Sequence, residues 1–195
     1  MKLGTVVVLA GSIRPTALMS SLGLHTLELP ARADQTLLEA WIESLQAWDA
    51  EEIRIVVNST ADAARIGALL PPTRQQSVRV MSEPASWRGS AGLVCDLTAD
   101  LEPDDIVTVV EGGALPPASM GPLVGAMTSL TTAVIGATEA HEPAGTYLFR
   151  RKVFRSISAV GYHDIKEQLL PAINEQRGVV KLAVLGREFI RIRDR

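Results

Sequence analysis

The chain is poor in sulfur, in aromatic rings and in any excess of charge. Its single cysteine, Cys95, excludes an internal disulfide and any multi-cysteine zinc site. That residue sits in "AGLVCDL", where a buried helical thiol is expected and not a nucleophile. Aromatic residues make up 4% of the chain against 47% for all hydrophobic residues, so the core must be built from Val, Leu, Ile and Ala. Such a core suits a parallel sheet covered by helices on both faces. The net charge is −3, and no block of like charge offers a nucleic acid a basic face. The locally basic "REFIRIRDR" reads as a strand end followed by solvated residues. No apolar run reaches membrane-spanning length, and the chain runs from Met1-Lys2 directly into its first strand with no leader pattern. A cytoplasmic protein with neither nucleic-acid nor membrane partners is expected.

What is present is an alternation of short β-rich runs and helical patterns. "TVVVLA" is a continuous apolar strand. "DQTLLEAWIESLQAW" places Leu37, Leu38, Trp41, Leu45 and Trp48 on one helical face. "IRIVVNS", "VRVMSE" and "IVTVV" read as the next three strands, separated by "ADAARIGALL", which Pro71-Pro72 stops, and by "SAGLVCDLTADL". "ASMGPLVGAMTSL" is expected to be a helix interrupted near Pro122. "TTAVIGAT", "GTYLFR" and "VVKLAVLG" are three further strands, with helical "RKVFRSI" and "HDIKEQLLPAI" between the last two. Strands alternating with helices imply an α/β fold, a three-layer α/β/α sandwich with a mostly parallel, Rossmann-like sheet. No repeat or linker divides the chain, so residues 1–195 are expected to form one domain.

Ligands of such sheets sit beyond the carboxyl ends of the strands. That rule selects the loop after the first strand, Asn58-Ser59, the Trp87–Gly92 segment and "EGGALPP". Together these segments resemble the sugar-1-phosphate nucleotidyltransferase superfamily. Its members open with a strand into L-A-G-G-x-G-T-R-L-x-P, then a lysine-bearing L-L-P-V segment and a long helix; here "VVVLAGSIRP", "LELPA" and "QTLLEAWIESLQAW" follow in that order. The family's G-T-A-G is echoed in "RGSAGLVCDL". Its G-I-Y-x-F and D-L-x-x-D-x-L-P-x-L are echoed in "GTYLFRRKVFRSI" and "YHDIKEQLLPAI". The likeness covers nearly the whole chain.

The resemblance implies a nucleotidyltransferase-type sheet and a reaction in which a sugar-phosphate oxygen attacks the α-phosphorus of a nucleoside triphosphate, releasing pyrophosphate. Such chemistry rests on positioning and charge stabilisation by backbone donors, cations and a metal. Carried over residue by residue, it implies nucleotide binding at Ala10, Gly11, Ser12, Ser90, Ala91 and Gly92. Arg14 is implied as the catalytic cation. Glu111 is implied as a catalytic and metal-binding carboxylate, with Mg²⁺ as cofactor only if the protein is active. The expected partners are a nucleoside triphosphate or sugar phosphate, and a second copy or an active homologue in an oligomer.

The same comparison shows what is missing. "AGSIRP" lacks the glycines of the triphosphate cradle. "GLHTLELPA" offers His25 and Thr26 where the lysine should stand. The aspartate expected after the fourth strand is Gly113. Glu111 lies two residues earlier, on the same face if the strand continues. For the late aspartate, Asp194 is the nearest carboxylate. Losing one such group costs an enzyme about 2–4 kcal/mol of transition-state stabilisation, so the concerted loss implies a catalytically degenerate pseudoenzyme serving as a binding or assembly module.

Two alternatives stay open. One is an active sugar-1-phosphate nucleotidyltransferase with altered ligands, using Arg14 on phosphate, Glu111 on metal and Ser90 near the ribose; a molybdenum-cofactor-type transferase, whose loop carries S-x-R, is a variant of it. The other is a flavodoxin-like NAD(P)H-dependent FMN reductase, in which Ser12, Arg14 and Thr16 of "GSIRPT" would hold the flavin phosphate. Against it stands the lack of a P-x-Y-N segment. Elsewhere, Trp41 and Trp48 are expected in the core, and Trp87 packed beneath its loop. His141, with Glu139 and Glu142 beside it, is expected in a solvated loop. His163 is expected near a helix start that Asp164 caps.

Overall fold

The computed structural model describes residues 3–11, 21–83 and 87–186. The strands are β1 (Thr5–Leu9), β2 (Pro30–Arg32), β3 (Gln35–Thr36), β4 (Glu52–Val57), β5 (Val78–Ser82), β6 (Ile106–Glu111), β7 (Ala133–Ala137), β8 (Pro143–Arg150) and β9 (Val180–Val184). The α-helices are α1 (Leu37–Ala47), α2 (Thr60–Ala68), α3 (Gly89–Leu97), α4 (Gly121–Ala126) and α5 (Leu170–Glu175). Seven strands form one sheet in the order β5-β4-β1-β6-β8-β7-β9, and β2 and β3 pair as a separate antiparallel ribbon. In the large sheet only β8 runs against its neighbours.

This topology bears out the mostly parallel α/β sheet and removes the flavodoxin-like alternative. A flavodoxin-type sheet is ordered 2-1-3-4-5. Numbering only the seven strands of the large sheet, the order here is 3-2-1-4-6-5-7, with the sixth antiparallel.

Alternation along the strands sorts the apolar residues onto two faces, as a period of two requires. Val6 and Val8 of β1 and Ala10 just after it, with Ile53, Ile55 and Val57 of β4, join a core with Trp41 of α1, Ile66 of α2 and Leu123 of α4. Val7, Leu9 and Val56 face the other way. They pack with Ala91 and Val94 of α3, Phe154 and the Ile165–Ile173 segment. A charge interrupts the apolar pattern: Arg54 of β4 is buried. Its guanidinium donates to both Asp100 oxygens at 2.8 and 2.7 Å, to Glu52 and to the Leu97 carbonyl at the end of α3. Donation by Arg54 lowers the Asp100 pKa to about 2.

Several boundaries follow from local chemistry. A capping box starts α1: the Thr36 hydroxyl accepts from the Glu39 N–H, and the Glu39 carboxylate accepts from the Thr36 N–H. Pro122 does not interrupt a longer helix. It sits in the first turn of the short α4, where its missing N–H costs nothing. "HDIKEQLLPAI" is a π-helical turn, Ile165–Leu169, running into α5. Pro171 brings no N–H and crowds the carbonyl four residues back, which suits the wider turn before it.

Candidate functional site

The carboxyl ends of β1, β4 and β6 lie side by side, because these strands are neighbours in register. The Ala10 N–H donates to the Val56 carbonyl at 2.8 Å, and Gly11 lies against Val57 and Asn58. The Gly112 N–H donates to the Leu9 carbonyl at 2.9 Å. The described parts of three of the four segments selected from sequence are thus brought together at the carboxyl end of the sheet. Ala10 and Gly11 are both buried there. Ser12, Arg14 and Thr16 lie outside the described residues, as does Asp194.

The fourth segment carries the N-terminal turn of α3. Ser90, Ala91 and Gly92 are engaged within the protein by residues 163–165. The Ser90 hydroxyl donates to Asp164 Oδ2 at 2.8 Å and accepts from the Ile165 N–H at 2.9 Å. The Ala91 and Gly92 N–H groups both donate to the His163 carbonyl, at 2.8 and 3.2 Å. The His163 N–H in turn donates to the Arg88 carbonyl at 2.8 Å. Gly89 makes this clamp possible: its φ is +69°, and a β-carbon there would stand 2.5 Å from the His163 oxygen. Arg88 is buried beneath, with Nε and Nη2 on the two Asp96 oxygens and Nη1 on the Gly161 carbonyl. Asp164 caps the following turn, accepting from the Lys166 and Glu167 N–H groups at 2.7 and 3.1 Å.

Trp87 corrects an expectation. It does not pack beneath its loop; its side chain is 88% exposed beside this clamp. Trp41 is buried as expected, and its indole N–H donates to the Ala114 carbonyl at 2.8 Å. That bond ties α1 to the turn after β6. Cys95 lies on α3, half-buried, near the Phe154 carbonyl. Burial pushes its thiol pKa up, which disfavours the thiolate a nucleophile needs.

Glu111 closes β6, and there the strand stops. The Ala114 N–H donates to the Glu111 carbonyl at 3.2 Å, so Gly113 lies in a turn and not one strand repeat beyond Glu111. The Glu111 side chain is on the α5 face of the sheet. Its Oε1 accepts from Lys166 Nζ at 2.9 Å. Gly145 of β8, with φ +65°, leaves room for the carboxylate: a β-carbon there would stand 2.7 Å from it. With Lys166 43% and Glu111 29% exposed, the ion pair contributes about 0.2–1 kcal/mol, little enough for a ligand to displace it. Lys166 is the residue the sequence reading passed over. The signal available was "HDIKE", a basic residue two places after a capping aspartate.

Magnesium is held by several oxygen ligands, commonly one or two carboxylates with phosphates and waters. Glu111 faces an ammonium, Gly113 brings no side chain, and Asp164 is turned to Ser90 and to backbone N–H groups. Among the described residues, no group of three or more His, Cys, Asp and Glu side chains is placed to hold a metal ion. The arrangement does not fit a magnesium centre built on Glu111.

The histidines serve the backbone. His25 Nδ1 accepts from the Leu27 N–H at 3.2 Å, and its own N–H donates to Glu28 at 2.6 Å. Glu28 also accepts from Arg65 Nε at 2.9 Å. Accepting at Nδ1 requires a neutral ring, and burial lowers the His25 pKa. As pH falls through about 6.5, the unfolded chain takes up this proton first, so stability drops until the folded ring also titrates. H25N, which keeps an acceptor that does not titrate there, is expected to flatten the unfolding midpoint between pH 7 and pH 5 relative to wild type in thermal melts. An unchanged slope counts against the cap. His141 has φ +61° in the turn between β7 and β8, where its N–H donates to the Thr138 carbonyl.

The chain matches no family model and no curated protein in sequence. Solved structures share its fold. Against the crystal structure of HddC from Yersinia pseudotuberculosis the TM-score is 0.75 at 16% identity, covering 96% of this chain and 93% of that one. A second structure of HddC, complexed with GMP-PN, matches equally. The inositol-1-phosphate CTP transferase from T. maritima gives a TM-score of 0.69 at 14% identity, covering 98% and 89%. The fold is therefore the nucleotidyltransferase fold that the motif order implied. Among the described residues, no helix is long and apolar enough to cross a membrane.

Proposed function

We propose that this chain is a nucleotidyltransferase-like domain, related to the sugar-nucleotide transferases, that binds a phosphate-bearing ligand and does not transfer the nucleotide. The observation that carries this reading is the pairing of Glu111 with Lys166 at 2.9 Å beside Gly113. At the strand end where the reaction would need carboxylates around a cation, the described residues instead present Glu111 paired with an ammonium. The sequence supports the same reading through the absent lysine before "LELPA" and the absent cradle glycines. Binding needs less: a cation at the carboxyl ends of the strands, where ligands of such sheets sit. The structure of HddC with GMP-PN makes a guanine nucleotide a reasonable first ligand to try. Assembly with a second copy or with an active homologue belongs to this proposal as the use to which binding is put.

The test is calorimetric titration of the purified chain with GTP, CTP and glucose 1-phosphate, each with magnesium. Binding of at least one of them is expected. Failure of all three to bind, with the chain folded, would remove the binding half of the proposal.

A further inference from the structure

We infer that Lys166 is the ligand-binding cation of this site, with Glu111 as its resting counter-ion and the phosphate of a nucleotide or sugar phosphate as its alternative partner. The inference rests on the binding function proposed above and names the residue that meets the ligand. Lys166 enters the strand edge from the π-helical turn, 55 residues away from Glu111 in sequence. Its ammonium reaches the end of β6, next to the end of β1. Its backbone is fixed, because its N–H donates to Asp164 Oδ1 at 2.7 Å. Only the side chain needs to turn for a change of partner.

Among the described residues, Arg88 and Arg65 are committed more deeply. Arg88 is buried on both Asp96 oxygens and the Gly161 carbonyl. Arg65 holds Glu28 and the Gly23 carbonyl. Lys166, by contrast, is held by one ion pair that solvent reaches from both sides. A phosphate dianion outcompetes a carboxylate for such an ammonium, since it brings more charge and more acceptor oxygens. Glu111 then repels the incoming phosphate, so the two halves of the pair act on binding with opposite sign. A strut that merely fastened the π-helical turn to the sheet would give both halves the same sign.

The experiment compares wild type, K166M, K166R and E111Q by titration with inorganic pyrophosphate, GTP and glucose 1-phosphate. Unfolding midpoints are recorded alongside to confirm that each variant is folded. K166M is expected to weaken the bound probe about tenfold or more, and K166R to recover most of the loss. E111Q is expected to tighten it about two- to fivefold. Pyrophosphate and GTP responding together would mark a polyphosphate ligand, whereas a response of glucose 1-phosphate alone would mark a sugar phosphate; either supports the inference. If wild type binds a probe and K166M binds it equally well, the inference fails and the binding function stands. It fails as well if E111Q and K166M both weaken binding. If wild type binds none of the three, the binding function falls and the inference with it.

Discussion

Replacing Trp41 with alanine is expected to lower the free energy of unfolding by about 3–5 kcal/mol. Trp41 is a large, fully buried side chain in the same core cluster as the Val and Ile side chains of the first sheet face. The other ring against this core, Trp48, stands about two turns further along the helix and is not placed to fill the space. The loss also has a polar part. The Ala114 carbonyl, which accepts the indole N–H at 2.8 Å, would be left without that donor. W41F separates the two contributions: it keeps most of the apolar contact and drops the hydrogen bond, at about 1–3 kcal/mol. Urea unfolding gives both values from midpoint shifts at constant slope. Against a typical stability of about 5–15 kcal/mol, W41A leaves a marginal protein. A W41A loss below about 1 kcal/mol would mean that this helix is not packed as described.

The second large effect is expected at Gly89. In G89A the β-carbon meets the His163 carbonyl at 2.5 Å, and the residue must hold φ +69°. The left-handed backbone costs about 1–2 kcal/mol, and the backbone contact adds about 1–3 kcal/mol because neither partner is a flexible side-chain end. S90A probes the same clamp without crowding it. That change removes the donor to Asp164 and the acceptor for the Ile165 N–H, and is expected to cost about 1–3 kcal/mol. Hydrogen exchange distinguishes this from general destabilisation: in both variants the Ala91, Gly92 and His163 amides lose protection before those of β1 and β4. Uniform loss across the sheet would contradict the clamp.

The layered fold was legible because β-branched runs such as "TVVVL" and "IRIVV" and the apolar stripe of α1 are local signals. The order of five weak motifs then pointed to the nucleotidyltransferase fold. The start of α1 was also written in the sequence, as the T-x-x-E of Thr36 and Glu39, a signal passed over in favour of the apolar stripe. What was not legible depends on distance. Lys166 meets Glu111 only because β6 ends where β8 and the π-helical turn begin, and no spacing rule joins positions 55 apart. Ser90, Ala91 and Gly92 look from sequence like open donors. Their engagement by residues 163–165 is set by the route of the chain after β8. Trp87, just before the S-A-G turn, reads from sequence as packed beneath its loop, and its exposure goes with the clamp turning Arg88 inward instead. Strand parity relates Glu111 to Gly113 only while the strand continues, and it lapses where the Glu111–Ala114 turn begins.

The measurement that bears most directly on the account is a single-turnover assay. The chain is held in molar excess over GTP or CTP labelled at the β- and γ-phosphates, with magnesium and a panel of sugar 1-phosphates, and released pyrophosphate is followed over hours. The account predicts label retained in the triphosphate at the level of a protein-free control, including for any triphosphate the chain binds. Stoichiometric pyrophosphate release, dependent on magnesium and on one sugar phosphate, would contradict it and show that the Glu111–Lys166 end of the sheet performs the transfer.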